Sequence, residues 1–513
     1  MRLFDFFDKQ ADVQPNATAV VYDGMSLTYR DIQDQSRRIA RALMATELDH
    51  GAKIACWIPN HPSFFAVQIG IHRTPFVWLP LNPRATAAEC AANMQAFDAE
   101  WLFIDAQFSP HIDVIRSAVP TLRGVVALNG EIAGCLSMEE FCEGMSANPV
   151  DIDIKPMDTV TLITTGGSTG QPKGVMRTSM NWVTLIVNYR LKLFHGVPTV
   201  NLVATPLSHV AGEVAQAVFA EGGVNVILTK PDPALILEAI DKYRITSLFV
   251  PPTLLYMMLS RHLPGKYDYS SLRHLMYGAA PVSADKLREA WSVFGPVMAQ
   301  LYGLMEATST VSIMGPDEHA EAFDLNRFGS AGRGSPLVMI DVFDESGQPV
   351  APGEKGEVVC RGPNLCKGYE GNPDATRAAF QSGWFHTGDI GFKDPDGYLH
   401  LVDRSKDLII SGGFNVYPGE VEQVLWTHPA VQDCAVIGVP HEKWGEAVTA
   451  VVELKPGASV LEDELMALCK GQLGSIKAPK SVEIWKTLPR SIVGKVLKKD
   501  IREHYWKETN RSI

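Results

Sequence analysis

The chain is 513 residues long, beyond the roughly 250 to 300 residues at which one hydrophobic core stops growing, so two or three lobes are expected. A composition 46% hydrophobic and 20% charged is that of a globular enzyme and excludes a long disordered tail. The formal charge of −12 comes without a basic stripe, which excludes a nucleic-acid partner.

The first eight residues, Met1 to Asp8, carry acids inside an apolar stretch, unlike the uncharged core of a signal peptide. No apolar run approaches the roughly 18 residues that would span a bilayer, so no membrane span and a cytoplasmic location are expected. Cys56, Cys90, Cys135, Cys142, Cys360, Cys366, Cys434 and Cys469 are scattered, with no CxxC pair and no nearby histidine at zinc-ligand spacing. They read as free thiols.

From about Ala19 to Val250, short β-branched runs such as Lys53 to Ile58 and Val77 to Leu79 alternate with amphipathic segments such as Phe64 to Ile71. That alternation predicts βαβ units and parallel sheets. It recurs at Val224 to Leu228, the helical stretch Pro233 to Tyr243, and the strand-like Thr246 to Val250, predicting a second sheet layer. After about Ser330, short strands broken by turn residues predict a smaller β subdomain.

The polar stretch Asp403 to Asp407 marks the main boundary. The expected division is residues 1–402, a hinge at 403–407, and a mobile α+β unit at 408–513. The last holds a helix over Pro418 to Thr427, strands over Val431 to Val439 and Thr449 to Leu454, and a helix over Leu461 to Leu473.

The strand-like Thr159 to Thr164 runs into Thr165-Gly166-Gly167-Ser168-Thr169-Gly170-Gln171-Pro172-Lys173-Gly174, with a helix expected after it. Glycines let backbone N–H groups approach an anion, hydroxyls add donors, and Lys173 supplies a positive charge, which suits the phosphates of ATP. A Walker A loop is excluded, because Gly265-Lys266 and Gly494-Lys495 are followed by Tyr and Val rather than Ser or Thr.

This loop resembles the signature T-S-G-T-T-G-x-P-K-G of the adenylate-forming superfamily of acyl-CoA synthetases, adenylation domains and firefly-type luciferases. Nine of its ten positions match in character, and Gly166 stands where the family usually has Ser. Further motifs follow in family order: Pro206-Leu207-Ser208-His209, Gly278-Ala279-Ala280-Pro281, Tyr302-Gly303-Leu304-Met305-Glu306, Gly383 to Asp389, Asp403 to Asp407, and Gly494-Lys495. The resemblance covers most of the chain.

The resemblance implies a large amino-terminal domain of stacked αβ layers with a small β subdomain, and a small mobile carboxyl-terminal domain. It implies an AMP-forming ligase that uses ATP, Mg²⁺ and coenzyme A, adenylates a carboxylic acid, and passes the acyl group to the thiol. Gly278, Ala279, Ala280, Pro281, Gln300, Tyr302 and Gly303 would surround the adenine. Asp389 would accept both ribose hydroxyls, with Arg404 as a donor beside it.

Glu306 would hold the magnesium, since Mg²⁺ takes hard oxygen ligands. Thr165, Gly166, Gly167, Ser168, Thr169, Gly170 and Lys173 would hold the phosphates. Lys495 would bridge the substrate carboxylate and the α-phosphate. Lys406 falls at the family's hinge, and Ser411, Gly412 and Gly413 would line a thiol tunnel after domain rotation. Met305 replaces the family's common Thr, and Thr308 is the candidate to supply the missing hydroxyl.

For the acid, His209 would close the pocket or touch the carboxylate. Val210 stands where amino-acid-selecting members carry an amine-anchoring Asp, which argues against an α-amino acid. Val210, Ala211, Gly212, Met276 and Tyr277 suggest an apolar lining for an aryl or short to medium aliphatic acid. Three alternatives share the motifs: an enzyme loading a carrier protein's phosphopantetheine, a luciferase-like oxygenase, and a silent acyl-adenylate sensor. Retention of Lys173, Glu306, Asp389, Arg404 and Lys495 argues against the sensor. A homodimer is compatible with the sequence.

Overall fold

The computed structural model describes residues 1–166, 172–194, 196, 198–324, 329–491 and 496–506. Two eight-stranded sheets, both mostly parallel, form the amino-terminal part among these residues.

The first sheet runs Ser312–Met314, Met298–Tyr302, His274–Gly278, Ser247–Val250, Val200–Val203, Val224–Ile227, Thr18–Tyr22, Met25–Thr28. The second runs Gly368–Tyr369, Pro172–Thr178, Thr159–Gly166, Val77–Pro80, Lys53–Trp57, Ala99–Asp105, Gly124–Leu128, Leu136–Ser137. Strands such as Val77–Pro80 and Ser247–Val250 are buried at every position, as parallel strands covered on both faces must be. The helices Ser63–His72 and Val210–Ala220 lie in the largest core, which contains Phe65, Trp78, Trp182, Val214 and Phe219.

A five-stranded antiparallel sheet follows, built from Met339–Phe343, Gly356–Arg361, Phe380–Gln381, Trp384–Lys393 and Leu399–Arg404. The last unit has a second five-stranded sheet: Ile409–Ser411, Phe414–Val416, Val431–His441, Gly445–Leu454 and Ser481–Trp485. The helices Pro418–Trp426 and Glu462–Lys477 pack on it through Val421, Leu425, Leu465 and Cys469. The expected layers, β subdomain and α+β unit are all present.

One expectation fails. The glycine-rich segment does not lead from strand to helix; Thr159–Gly166 pairs antiparallel with a second strand, Pro172–Thr178, with Thr165 opposite Lys173 and Gly166 opposite Pro172. The helix begins only at Ser179, where Thr178 and Asn181 form a reciprocal cap. The second strand forms because its other edge is taken by Gly368–Tyr369, through Gly368 to Met176 and Tyr369 to Val175.

Candidate active site

Pro172–Thr178 carries two cations four residues apart, Lys173 and Arg177, which the two-residue repeat of a strand puts on one face with Val175 between them. Val175 packs there with Ile163, Cys366, Tyr369 and Met305. Lys173 Nζ lies 5.4 Å from the centroid of the Tyr369 ring. Tyr369 Oη donates to Glu306 Oε1 at 2.8 Å. Burial and the Glu306 charge push the Tyr369 hydroxyl well above its ordinary pKa, so it remains a donor.

Glu306 sits in a one-turn 3₁₀ segment, Met305–Ala307, whose exit residues Thr308 and Ser309 both have positive φ, at 47° and 54°. The turn is pinned from outside: Glu306 O accepts from Cys366 N at 2.7 Å, and Asn364 Nδ2 donates to Ala307 O at 3.0 Å. The Thr308 hydroxyl donates to Asn364 O at 2.8 Å and is fully buried. It is spent on the turn and does not replace the hydroxyl absent at Met305.

Met305 is bound to Arg177 instead. Arg177 Nε donates to Met305 O at 2.9 Å, Nη2 approaches Met305 Sδ at 3.5 Å, and Nη1 pairs with Glu213. Arg177 is 1% exposed and Glu213 4%, so this ion pair is closed to solvent. Glu213 lies on Val210–Ala220, the helix whose N-cap is His209. His209 Nδ1 is 2.9 Å from Ser208 Oγ. Burial lowers the His209 pKa, with Arg177 acting in the same direction and Glu213 against it, so the imidazole is neutral at pH 7.

The residues expected around the adenine lie at the carboxyl ends of adjacent parallel strands, His274–Gly278 and Met298–Tyr302, where open α/β sheets place their ligand crevices. A Cβ on Gly278 would meet Leu301 O at 2.2 Å, and one on Gly303 would meet the Ser309 backbone at 2.4 Å, so both glycines are sterically required. Ala279 has φ 68°, and with Ala280 and Pro281 it forms the loop leaving the strand. Gln300 Oε1 accepts from Tyr277 Oη at 3.2 Å.

Tyr302 Oη donates to Asp389 Oδ2 at 2.7 Å, and Arg404 Nε meets Asp389 Oδ1 at 2.6 Å. Asp389 and Arg404 are cross-strand partners, which fixes that contact through sheet register. Lys406 is exposed in the turn Ser405–Asp407, directly after the strand that ends at Arg404. Ser411 ends a strand, and Gly412 and Gly413, at φ 59° and 82°, form the two-residue turn to Phe414; only a primed hairpin turn needs positive φ at both positions.

Gly167, Ser168, Thr169, Gly170 and Lys495 lie outside the described residues. Met276 and Tyr277 are buried in core packing, and Tyr277 is bonded to Gln300 and His319, so neither lines an open pocket. Sequence reasoning missed Arg177, Glu213 and Tyr369.

The residues present fit a magnesium ion. Glu306 offers hard oxygens next to Tyr369, over whose ring Lys173 lies, and no cluster of three or more His, Cys, Asp or Glu suited to a metal occurs among the described residues. A single carboxylate with phosphate and water oxygens is how Mg²⁺ is held beside nucleotides.

Residues 7–370 match the family described as AMP-binding enzyme, and residues 420–495 match the AMP-binding enzyme C-terminal domain. The chain is 37% identical over 500 residues to a feruloyl-CoA synthase of an Amycolatopsis species, covering 97% of this chain and 98% of that one. It is 32% identical over 510 residues to an indoleacetate–CoA ligase of Aromatoleum aromaticum, covering 98% of each. The amide bond synthetase McbA of Marinactinospora thermotolerans superposes with a TM-score of 0.90 at 30% identity, covering 98% of this chain and 100% of that one.

Proposed function

From the premise that this chain belongs to the AMP-binding enzyme family and is an AMP-forming acid:coenzyme A ligase using ATP, Mg²⁺ and coenzyme A, we propose that its acid is an uncharged-tail monocarboxylate, aryl or short to medium aliphatic. The observation that carries this reading is the closed Arg177–Glu213 pair on the helix that begins at His209. Its two charges cancel, and with Val210 at the amine-anchoring position the start of that helix offers no net charge to anchor an amine on the substrate. Gly212 is packed against Leu207 O, which a Cβ there would meet at 1.9 Å, so the first turn of that helix is closed by backbone and adds no polar group. The feruloyl and indoleacetate relatives favour the aryl member of the pair.

In the first half-reaction a carboxylate oxygen of the acid attacks the α-phosphorus, forming the acyl–O–phosphorus bond as the bond to pyrophosphate breaks. Lys173 and the glycine-rich segment stabilise the leaving pyrophosphate, and Lys495 the charge at the α-phosphate. When bound, magnesium neutralises phosphate charge. Neutral His209 borders the carboxylate and stays uncharged at physiological pH. In the second half-reaction the thiol attacks the acyl carbon, the bond to AMP breaks, and the thiol proton leaves to solvent.

The proposal includes a division into residues 1–402, a hinge at 403–407 and a rotating unit at 408–513, with Lys406 in the hinge and Ser411, Gly412 and Gly413 at the thiol channel. Asp389 and Arg404 take the ribose; Gly278 to Pro281, Gln300, Tyr302 and Gly303 take the adenine. A cytoplasmic location is part of the same reading, supported by eight free cysteines, six of them buried. No helix among the described residues is long and apolar enough to cross a membrane. A homodimer is the assembly to test by light scattering.

The deciding assay incubates the protein with ATP, Mg²⁺, coenzyme A and a panel of aryl and aliphatic acids, and follows AMP and acyl-CoA by mass spectrometry, with Lys495→Ala as control. Acid-dependent AMP and thioester, lost in the variant, support the proposal. Adenylate without thioester shifts the acceptor to a carrier protein, and turnover only with dicarboxylates or amino acids overturns the substrate class.

A further inference from the structure

Glu306 stands on a three-residue turn, a short perch for a carboxylate that must meet a metal ion within tenths of an ångström. Beyond the backbone pins from Cys366 and Asn364, two long-range side-chain contacts reach that perch. On one side Tyr369 Oη donates to Glu306 Oε1 at 2.8 Å. On the other, one guanidinium takes the residue before it by two atoms, Met305 O at 2.9 Å and Met305 Sδ at 3.5 Å, and is itself anchored by Glu213.

Both contacts trace to one strand. Arg177 is on Pro172–Thr178, and Tyr369 is registered against Val175 of that strand. Lys173 lies on the same strand and over the Tyr369 ring. The phosphate lysine and both side-chain contacts to the Glu306 turn therefore share a single backbone reference.

We propose that Arg177 and Tyr369 are positioning residues that aim the Glu306 carboxylate at the magnesium of Mg-ATP, with Met305 as the residue through which Arg177 acts. The proposal rests on Glu306 being the metal carboxylate. It accounts for the methionine at 305: a thioether lets the guanidinium lie against the side chain while it binds the carbonyl, where a short hydroxyl would not reach. A carboxylate freed to rotate would lose affinity for the metal while leaving the contacts to adenine and ribose untouched.

The test is calorimetric, with the full-length chain and no acid present. The Kd for Mg-ATP and the Kd for ATP in EDTA are measured, and their ratio isolates binding that depends on the metal. Arg177→Met should shrink the Mg-ATP advantage about tenfold, and Tyr369→Phe by about threefold to tenfold, each leaving the metal-free Kd within about twofold. Arg177→Lys should fall between wild type and Arg177→Met, because an ammonium lacks the planar fork.

Glu306→Gln separates the two assignments. If it abolishes the advantage while folded Arg177→Met and Tyr369→Phe keep it, the positioning proposal is overturned and the metal assignment stands. If Glu306→Gln keeps the advantage, the metal assignment fails, and the positioning proposal with it. Where Arg177→Met does not fold, Tyr369→Phe, which removes one hydroxyl, decides alone: an unchanged ratio overturns the proposal and a reduced one supports it.

Discussion

Tyr302 Oη and Asp389 Oδ2 are 2.7 Å apart, and the tyrosine is the donor. Burial and the Asp389 charge hold the Tyr302 hydroxyl well above its ordinary pKa, so it donates across the physiological range. With Arg404 on the other oxygen, both carboxylate oxygens of the proposed ribose site are already oriented.

Tyr302→Phe keeps the ring and removes the donor. Losing a hydrogen bond to a charged group costs about 1.5 to 3 kcal/mol, so the KM for ATP should rise by about tenfold or more. The KM for the acid should stay constant. ATP–pyrophosphate exchange at varied ATP checks this, and equal effects on both constants would mean the hydroxyl does not act through the nucleotide.

Glu213→Gln leaves Arg177 as an uncompensated buried charge. The expected loss is about 3 to 5 kcal/mol of stability, read from the denaturant midpoint of the amino-terminal transition. Arg177→Met combined with Glu213→Leu should be less destabilised than Glu213→Gln alone, because it removes both charges. A double variant that is worse than the single would count against the charge argument.

Two buried histidines predict the acid side of the stability curve. Burial lowers His72 to about 3 and His319 to about 4, from an ordinary value of 6.5. The unfolded chain therefore binds more protons between about pH 4 and 6.5, and stability must fall as pH falls through that window, by up to about 1.4 kcal/mol per pH unit for each histidine. His72→Asn should flatten the slope between pH 6 and 4.5 by about that amount. An unchanged slope would mean His72 does not stay neutral in the folded state.

Lys406→Pro stiffens the turn Ser405–Asp407, the proposed hinge. Thioester formation should drop by about tenfold or more while adenylate formation stays within about twofold, if the proposed domain movement precedes only the second half-reaction. Single-turnover assays of each half-reaction distinguish this from a general loss, in which both would fall together.

Much of this was legible in the residues. Alternating β-branched and amphipathic segments specified the sheets, and the ordered motifs specified the chemistry, because strands, caps and glycine turns are local. The hairpin was not legible for a different reason: Thr159–Gly166 and Pro172–Thr178 pair around a segment whose composition also suits a helix start. The partner that commits the second strand to a sheet, Gly368–Tyr369, lies almost two hundred residues away. A signal did exist in Thr178 and Asn181, a capping pair that delays the helix to Ser179. Arg177 gave none, because its contacts with Glu213 and Met305 span 36 and 128 residues of chain.

The alternation along Pro172–Thr178 restricts how this enzyme can change. Deleting or inserting one residue between Lys173 and Arg177 would turn one of the two cations to the opposite side of the sheet, away from either Tyr369 or Met305. Length variation in this stretch is therefore quantised in steps of two, and drift there can proceed by substitution but not by single-codon slippage.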